Sequence, residues 1–369
     1  MTRPARIFGP IAVAFAATTV WAQAPAWRDA APGRPIVLPA DHASHPDYKI
    51  EWWYYTGNLE TAEARRFGYQ LTFFRLGVDP APKSPSRWAV RDLYMTHVAL
   101  TDTAGRKFHF ADRINRAGPG WAGASAEAFR VWNEGWQASL ASPAVHRLMA
   151  STKAFGIDLR LDEGRRAVLH GDRGYSRKGA STGNASFYYS LTRMPTRGTI
   201  RVGGRTIDVT GDSWMDHEFG TTFLEKDQIG WDWFSLQLDD GRELMVFQLR
   251  RRDGSIDPRS SGTLVEPDGV FRHIPLESGF TLEPGREWRS PATGGRYPVE
   301  WQVRIPREGI DLAVTPVLDD QELRTGQSTG VNYWEGAIDV SGRVKGRPVR
   351  GRGYLEMTGY AGRGLDALR

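Results

Sequence analysis

The sequence predicts an all-β protein made of two consecutive antiparallel β-barrels that pack against each other. Two observations support this prediction: stretches of alternating apolar and polar residues dominate the 369-residue chain, and three of its segments recur later in the same order. A period of two is typical of strands with one face in a core. No long stretch shows the 3.6-residue period of an amphipathic helix, so a helical or α/β fold is not expected.

The alternation is clearest at residues 69–73, 155–162 and 299–305. In the second of these stretches, phenylalanine, isoleucine and leucine alternate with glycine, aspartate and arginine. Turn residues such as Asp240-Gly241 separate the runs. We therefore expect many short strands joined by tight turns.

The recurring segments indicate an internal duplication. Each early segment has a later partner with similar residues at matching positions, and this places Glu356 opposite Asp216. We expect an N-terminal barrel at residues 47–220 and a C-terminal barrel at residues 225–362. The matching segments are WWYYTGNL at residue 52 with WDWFSLQL at 231, GASTG at 179 with GQSTG at 326, and VTGDSWMD at 209 with VRGRGYLE at 349.

The N-terminus has the features of a cleavable signal peptide. Arg3 and Arg6 precede an apolar run that is too short for a membrane helix, and small residues follow it. Cleavage is expected near Ala22, so that residues 1–22 are the signal peptide and residues 23–46 a leader segment. We expect a periplasmic or secreted protein without stable membrane insertion. The chain contains no cysteine, so its stability must come from core burial rather than from disulfides.

Charge and aromatic content indicate the class of ligand. The formal net charge is +5, but the basic residues are scattered, which gives no support for a nucleic-acid partner. The 14 tryptophans are costly to bury without a partner for the indole N–H, and they are suited to lining an apolar cavity. We expect a hydrophobic small molecule as the partner and no cofactor. The oligomeric state stays open.

The eight histidines show no local metal-binding pattern, neither H-x-H nor H-E-x-x-H. No metal ion is therefore predicted from motifs, and a zinc site assembled from distant residues stays open. His97 lies in a clear strand after Tyr94 and Met95. It is either a core histidine that a neighbouring hydroxyl satisfies, which is the preferred interpretation, or a residue that lines a ligand cavity.

The segment GDSWMDHEFG contains the strongest candidates for catalysis, namely Asp216, His217 and Glu218. In an extended strand, Asp216 and Glu218 share one face with Trp214, and His217 shares the other with Phe219. An acid that is desolvated beside tryptophan has a raised pKa and can donate a proton.

The alternative for this segment is structural. Glu356 occupies the position that matches Asp216, so an acid that recurs in both copies could cap a closing strand. His217 and Glu218 have no such counterpart, because Thr358 stands opposite Glu218.

Aromatic side chains are expected to form the walls of the ligand site. Only a short connection separates Phe219 from Trp231, so the acidic cluster should lie near the first strand of the second barrel. We predict that Asp216 or His217 lies within side-chain reach of Trp52, Trp231 or Trp233, at the inner end of an apolar cavity. The predicted ligand-binding residues are Trp52, Tyr54, His97, Trp214, Phe219, Trp231 and Trp233.

Two loops, GASTG and GQSTG, match the G-x-S-x-G pattern of a hydrolase nucleophile elbow. That elbow needs a buried strand before the serine and a helix after it. Polar residues precede Ser181, a strand is expected after it, and the duplication places the same loop in both halves. A turn into a strand is the preferred interpretation, and a secreted hydrolase is the minor alternative.

Five blocks, EWWYYTGNL, YYSLTRM, GDSWMDHEFG, YWEG and GYLEMTGY, resemble the signature blocks of the AttH-like and carotenoid 1,2-hydratase family. The resemblance covers the chain from about Asp47 to Gly359. It implies two lipocalin-like barrels that meet at an aromatic interface, in agreement with the duplication. Many exported members carry the loose label of predicted secreted hydrolases.

The same resemblance implies a hydratase-like activity, in which water adds to an isoprenoid double bond. Hydratases of the family use the histidine and the aromatic residue of the D-H-x-[WF]-G block, which His217 and Phe219 match. They also use a tyrosine and an aspartate on a following strand, and residues 244–249 contain neither.

Together, these features predict a binder of elongated apolar ligands, such as isoprenoids, polyenes or acyl chains. The protein would either hydrate an alkene by acid catalysis or act as a non-catalytic carrier. For hydration, Asp216 would be the acid, His217 would orient it or the water, and the tryptophan faces would stabilise the cation.

Overall fold

The computed structural model describes residues 26–222 and 224–361. The predicted signal peptide, residues 1–22, lies outside the described residues. No helix in the described part is long and apolar enough to cross a membrane. Within these described ranges, three short 3₁₀ helices accompany the strands: η1 (Ala40–His42), η2 (Leu276–Ser278) and η3 (Pro306–Glu308).

The first sheet contains 13 strands, and all of its pairings are antiparallel. They are β1 (Ile50–Glu60), β2 (Arg66–Gly77), β3 (Asp92–Asp102), β4 (Lys107–Arg116), β5 (Ala122–Ala124), β6 (Arg130–Asn133), β7 (Trp136–Ser142), β8 (Val145–Ser151), β9 (Phe155–Asp162), β10 (Val168–Leu169), β11 (Tyr175–Arg177), β12 (Ala185–Val202) and β13 (Arg205–Gly220). Their order is β4-β3-β2-β1-β13-β12-β9-β8-β7-β6-β5, with β10 and β11 paired to β12.

The second sheet contains ten strands, again antiparallel. The strands after β13 are β14 (Gln228–Leu238), β15 (Glu243–Arg251), β16 (Ser261–Val265), β17 (Phe271–Pro275), β18 (Thr281–Pro284), β19 (Glu287–Arg289), β20 (Arg296–Pro298), β21 (Trp301–Ile305), β22 (Ile310–Pro316), β23 (Glu322–Arg324), β24 (Asn332–Val344) and β25 (Arg347–Ala361). Their order is β17-β16-β15-β14-β25-β24-β22-β21-β18, with β23 paired to β24, while β19 and β20 form a separate ribbon.

The first sheet nearly closes on itself, because β4 approaches β5 and β6. Asn133 at the end of β6 bridges this seam. Its Nδ2 donates to Tyr94 O at 3.2 Å and to Thr96 Oγ1 at 3.1 Å, and its Oδ1 accepts a hydrogen bond from Asn115 at 2.7 Å. Side-chain hydrogen bonds thus replace the missing backbone ladder between the two edges of the barrel.

The strand orders of the two sheets show the duplication directly. Starting from β4 and β17, each sheet runs through four consecutive strands and then the two strands of a long hairpin. Both hairpins turn through two residues with positive φ, Gly203-Gly204 and Lys345-Gly346, as a type I′ turn requires. Tyr54 pairs with Asp216 in the first sheet, and Trp233 pairs with Glu356 in the second.

Each sheet encloses its own hydrophobic core, and a third cluster lies between the sheets. The third cluster combines residues of the first sheet, including Tyr54 and Trp214, with residues of the second, including Trp233 and Tyr354. The all-β prediction with two packed barrels is confirmed: the first sheet is a nearly closed barrel and the second a half-barrel. The face between them is where both halves can contribute to one site.

Replacing Asn133 by alanine should lower the free energy of unfolding by about 1–3 kcal/mol, because it leaves buried groups at the barrel seam without partners. Urea denaturation measures this change. Gln137→Ala on the neighbouring β7 is the control. Among the described residues its Nε2 donates to Met149 Sδ, a weak acceptor, so its loss should cost less than about 0.5 kcal/mol. Equal effects of the two substitutions would show that the seam does not depend on Asn133.

Candidate functional site

A cavity of about 710 Å³ lies between the two sheets. Strands β1, β2, β3, β12 and β13 line it from the first sheet, and β14, β15, β24 and β25 line it from the second. Its volume is in the range of cavities that bind small molecules, about 300–1,000 Å³. The aromatic residues of its walls are Trp52, Tyr54, Phe74, Tyr188, Trp231, Trp233, Phe247 and Tyr333.

Strand β13 is a wall shared by this cavity and the first barrel. Successive side chains of a strand point to opposite faces. Asp216 and Glu218 therefore line the cavity, whereas Met215 and His217 pack with the first barrel. The same alternation in β1 sends Trp52 to the cavity and Trp53 into the barrel core.

Asp216 is buried in the cavity wall and accepts three hydrogen bonds. Trp214 Nε1 and Tyr188 OH each donate at 2.6 Å, and Ser190 Oγ also donates. Tyr188 OH accepts in turn from Trp233 Nε1 at 3.0 Å, which connects Asp216 to the second sheet. Burial is the largest influence and raises the pKa of Asp216 to about 7, although the three donors act in the opposite direction.

Two more carboxyl groups face the cavity from the second sheet. Glu335 on β24 and Glu356 on β25 are direct partners in the strand ladder. Glu335 Oε1 accepts a hydrogen bond from Tyr54 OH at 2.7 Å, and its buried Oε2 has no hydrogen-bond partner among the described residues. Burial, followed by the charge of Glu356, raises the pKa of Glu335 well above its usual value. Burial also raises the pKa of Glu356 to about 8. At neutral pH this pair retains protons.

Glu218 lines the same cavity but is held in an ion pair. Lys178 Nζ lies 3.0 Å from Glu218 Oε1, and Ser186 Oγ also donates to this oxygen. The ammonium group lies over the rings of Tyr188 and Phe247, 4.9 and 4.7 Å from their centres. Glu218 is therefore held in place by a salt bridge and by a hydroxyl group.

His97 lies at the cavity wall and is bonded to two hydroxyl groups of the second half. Tyr333 OH is 2.7 Å from its Nδ1, and Ser328 Oγ is 2.9 Å from its Nε2. Burial lowers the pKa of His97 to about 3, so the ring is neutral. Through its hydrogen bonds to these two hydroxyls, the neutral imidazole of His97 links the two halves at the edge of the cavity.

His217 lies on the barrel side of β13. Its Nε2 is 3.0 Å from Glu51 Oε1, its Nδ1 is 3.0 Å from Tyr189 OH, and its ring stacks on Trp53. Burial lowers the pKa of His217 to about 4. The structure therefore does not bring His217 to the cavity, and the strand backbone separates it from Asp216, which it cannot orient.

Glu51 is the centre of a buried charge network on this side. It accepts hydrogen bonds from Ser44 Oγ at 2.8 Å, from His45 Nδ1 at 2.8 Å and from Arg75 Nε at 3.1 Å, besides the contact with His217. Although burial acts to raise the pKa of Glu51, these donors hold it well below its usual value. Phe219 stacks on His45 at 3.6 Å and is therefore also outside the cavity.

The alternation of the strands divides the predicted site residues into two groups. Trp214 borders the cavity by packing on Trp233 and donating to Asp216. The barrel side holds His217 and Phe219, because both follow cavity-facing residues by one position. The predicted residues that line the cavity are Trp52, Tyr54, His97, Asp216, Glu218, Trp231 and Trp233.

Sequence reasoning missed Glu335 and Lys178, and it treated Glu356 only as the counterpart of Asp216. A signal was present for the glutamates. Glu335 follows two aromatic residues in the YWEG block, and the duplication places that block on the strand that pairs with Glu356. Nothing in the sequence places Lys178 beside Glu218, since it lies in a polar loop before β12.

Ser181 of the GASTG loop is exposed and borders the cavity. Its backbone N–H donates to Glu225 Oε1 at 2.7 Å. A turn and then strand β12 follow it, rather than the helix of a nucleophile elbow. The local structure therefore favours the interpretation of a turn into a strand.

The fold and the cavity together define a lipocalin-like protein, a class compatible with ligand binding or with hydratase chemistry. The AttH-like family profile matches residues 29–360, and the chain belongs to this family. A crystal structure of an AttH-type protein from Nitrosomonas europaea is 35% identical, with a TM-score of 0.82 over 90% of this chain and 100% of its own.

More distant structures share the fold. Kievitone hydratase from Nectria haematococca has a TM-score of 0.70 at 16% identity, over 91% of this chain and 96% of its own. The protein CghA has a TM-score of 0.53 at 11% identity, over 93% and 97%. At these identities the likeness concerns the fold alone. Among curated proteins, no significant sequence match is found.

The raised pKa of Asp216 predicts a specific pH dependence of stability. The pKa of Asp216 is 3.8 in the unfolded chain and about 7 in the folded chain. The folded state therefore loses stability as the pH rises through this interval. Asp216→Asn cannot ionise. Relative to the wild type, its free energy of unfolding should rise between pH 4 and pH 7 by up to about 4 kcal/mol.

Denaturation curves of both proteins across this pH range measure the difference. Asp212→Asn is the matched control, because Asp212 lies on the same strand but its side chain is 42% exposed. A pH-independent difference between Asp216→Asn and the wild type would contradict the raised pKa.

Proposed function

We propose that the protein binds an elongated apolar molecule in the cavity between its sheets and adds water to one of its isolated double bonds. The observation that carries the proposal is the pair Glu335 and Glu356, two carboxyl groups with raised pKa values in an aromatic cavity of about 710 Å³. An isoprenoid, polyene or acyl chain fits such walls.

The chemistry follows from these groups. A protonated carboxyl of the pair transfers its proton to one alkene carbon, and the other carbon becomes a carbocation. The faces of Trp231, Trp233 and Tyr54 stabilise this cation. A water molecule then bonds to the cationic carbon and returns a proton to the carboxylate, so that alkene and water give an alcohol and the enzyme is regenerated.

Glu335 and Glu356 suit the role of acid better than Asp216. Asp216 accepts three hydrogen bonds that stabilise its charged form. Glu335 Oε2 has no partner among the described residues, and Glu356, which borders the cavity, accepts one side-chain hydrogen bond, from Trp231. We assign Asp216 to the polar wall, where its charge raises the pKa of the glutamates further.

The fold likeness to kievitone hydratase is compatible with this proposal, since the same architecture occurs in a protein named as a hydratase. A carrier without turnover is the competing function. The hydrogen bonds to Asp216 and the ion pair of Glu218 favour it, because satisfied polar groups need no reaction to explain them.

We place this activity outside the cytoplasm. Arg3, Arg6 and the apolar run after them support export, with cleavage near Ala22. Mass spectrometry of the mature protein from a periplasmic extract tests the cleavage point.

Trp233→Ala should weaken the binding of long apolar chains by roughly tenfold or more, because it removes a large aromatic wall of the cavity. Quenching of intrinsic tryptophan fluorescence by polyenes or fatty acids measures the affinity. Trp88→Ala is the control, since Trp88 is 47% exposed and lies outside the cavity lining. Wild-type protein that responds to no chain type would refute a ligand-binding role.

Glu335→Gln and Glu356→Gln should each reduce turnover by about 10²–10⁴-fold while ligand binding is retained, because the amide cannot supply the proton. Acyclic isoprenoid alkenes and unsaturated fatty acids serve as substrates in heavy-oxygen water, and mass spectrometry detects the labelled alcohol. Glu322→Gln is the matched control, as Glu322 is a buried carboxylate bonded to Ser290, Thr293 and Tyr297 away from the cavity.

The same assay distinguishes the competing assignments. Loss of turnover in His217→Ala but not in the two glutamine variants would move the active site to the barrel side of β13, as the family resemblance implies. Binding without turnover by the wild type, over all substrates, would establish the carrier function.

A further inference from the structure

A separate group of titratable side chains lies on the barrel side of the first sheet. His42 in η1, His146 on β8 and Glu163 just after β9 come together from three segments, and their ligand atoms lie within 4.8 Å of one another. His42 Nε2 is 3.2 Å and His146 Nε2 is 3.3 Å from the same oxygen, Glu163 Oε1. Two imidazole rings thus point at one carboxylate.

The two nitrogen-to-oxygen distances match those of a metal coordination shell. Ligand atoms at about 2.0–2.1 Å from a tetrahedral zinc ion are about 3.3–3.4 Å from one another. Two imidazoles and a carboxylate are also a donor set that zinc accepts, with a fourth position for water. The group can therefore coordinate a metal ion with little movement of its side chains.

A count of protons indicates that His42 directs a lone pair at Glu163. Tyr189 OH has a single proton, and it lies 2.7 Å from His42 Nδ1 and 3.0 Å from His217 Nδ1. The neutral ring of His217 carries its own proton on Nε2, which donates to Glu51 at 3.0 Å, so its Nδ1 can only accept. Tyr189 OH also lies 3.1 Å from Asp41 O, so three groups compete for its one proton. A His42 ring that donates from Nδ1 to Tyr189 leaves that proton for the other two acceptors.

The Nε2 of a neutral His42 is then a lone pair that faces a carboxylate oxygen. This nitrogen is fully buried and has no hydrogen-bond partner among the described residues. Two lone pairs at 3.2 Å repel each other, and a cation between them turns the repulsion into attraction. A metal ion is such a cation. The alternative is the other neutral tautomer of His42, which donates a hydrogen bond from Nε2 to Glu163.

The surroundings favour the metal ion. Tyr55 OH lies 2.8 Å from His146 Nδ1, so each ring is held through its outer nitrogen by a tyrosine, as metal-binding histidines commonly are. Phe129 packs against both rings and forms an apolar wall. The Glu163 side chain is 22% exposed, which leaves a path from solvent.

A second group, His45, Glu51 and His217, has similar spacing but does not suit a metal ion. Arg75 Nε already donates to Glu51 at 3.1 Å, and Ser44 Oγ donates at 2.8 Å. Both carboxylate oxygens of Glu51 already accept hydrogen bonds, and the positive charge of Arg75 would repel a metal cation.

We propose that His42, His146 and Glu163 bind a divalent metal ion of the zinc type, with water completing the shell. Because His42 belongs to the segment before β1, the ion would fasten this N-terminal segment to the first barrel.

The test uses the full mature chain without an affinity tag, dialysed against a chelator. Titration with Zn²⁺ alone should show one site per chain with a Kd below about 1 µM. Co²⁺ should give the visible bands of a four-coordinate ion. Thermal unfolding should shift upward with Zn²⁺, because the ion binds the folded state.

Four variants locate the site. Glu163→Gln and His146→Ala should each weaken Zn²⁺ binding at least about tenfold, and Glu163→Gln is expected to fold because its side chain is partly exposed. His170→Ala and Glu51→Gln should bind Zn²⁺ as the wild type does. His170 is the matched control, a buried histidine that bonds only the hydroxyls of Thr263 and Ser190.

Each other outcome overturns the proposal. A folded wild type that binds no Zn²⁺ shows that His42, His146 and Glu163 are joined by hydrogen bonds alone. Equal binding by Glu163→Gln and the wild type places the ion elsewhere. Loss of binding in Glu51→Gln alone assigns it to the second group.

Discussion

The pleat of strand β13 is the constraint on which the two sites depend. Successive side chains of a strand must point to opposite faces, and β13 separates the nearly closed first barrel from the cavity between the sheets. Asp216 therefore faces the cavity while His217, one position later, faces the barrel. A shift of one residue in the pairing with β1 would exchange these environments, so the register of Tyr54 with Asp216 decides which chemistry each residue can perform.

Buried carboxyl groups differ in protonation on the two sides of this strand. On the barrel side, Glu51 receives hydrogen bonds from several donors, including Arg75 and His45, and stays ionised. On the cavity side, Glu335 receives one from Tyr54, so burial dominates and the carboxyl retains its proton. An ionised carboxylate with several hydrogen-bond donors stabilises the structure. A protonated carboxyl group with few partners is available for proton transfer.

Duplication created the framework, and divergence between the copies created the cavity chemistry. The position of Ser190 in the first copy corresponds to Glu335 in the second, because each pairs with the acid of its hairpin partner. Ser190 Oγ donates to Asp216, whereas at the matching place in the second copy the charge of Glu356 raises the pKa of Glu335. The paired glutamates thus belong to the second half, while the first half supplies Asp216 and the hydroxyl of Tyr54, and both halves supply aromatic walls.

Much of this architecture could be predicted from local pattern. Alternation of apolar and polar residues requires strands, and the recurrence of WWYYTGNL as WDWFSLQL requires that both halves repeat one order of strands. Alternation also places Asp216 and His217 on opposite faces of any strand, but it does not say which face meets which core. That depends on how the sheet curves and on what packs against it.

The sequence by itself determined the all-β class, the duplication, the aromatic walls and the family. Only the tertiary structure decided that Glu335 meets Glu356 in a cavity, that Lys178 pairs with Glu218, and that His42 meets His146 and Glu163. The physical reason is that local pattern reports the period and polarity of each segment. The protonation and partners of a buried group depend instead on residues that are distant in the chain and adjacent only after the sheets have curved and packed.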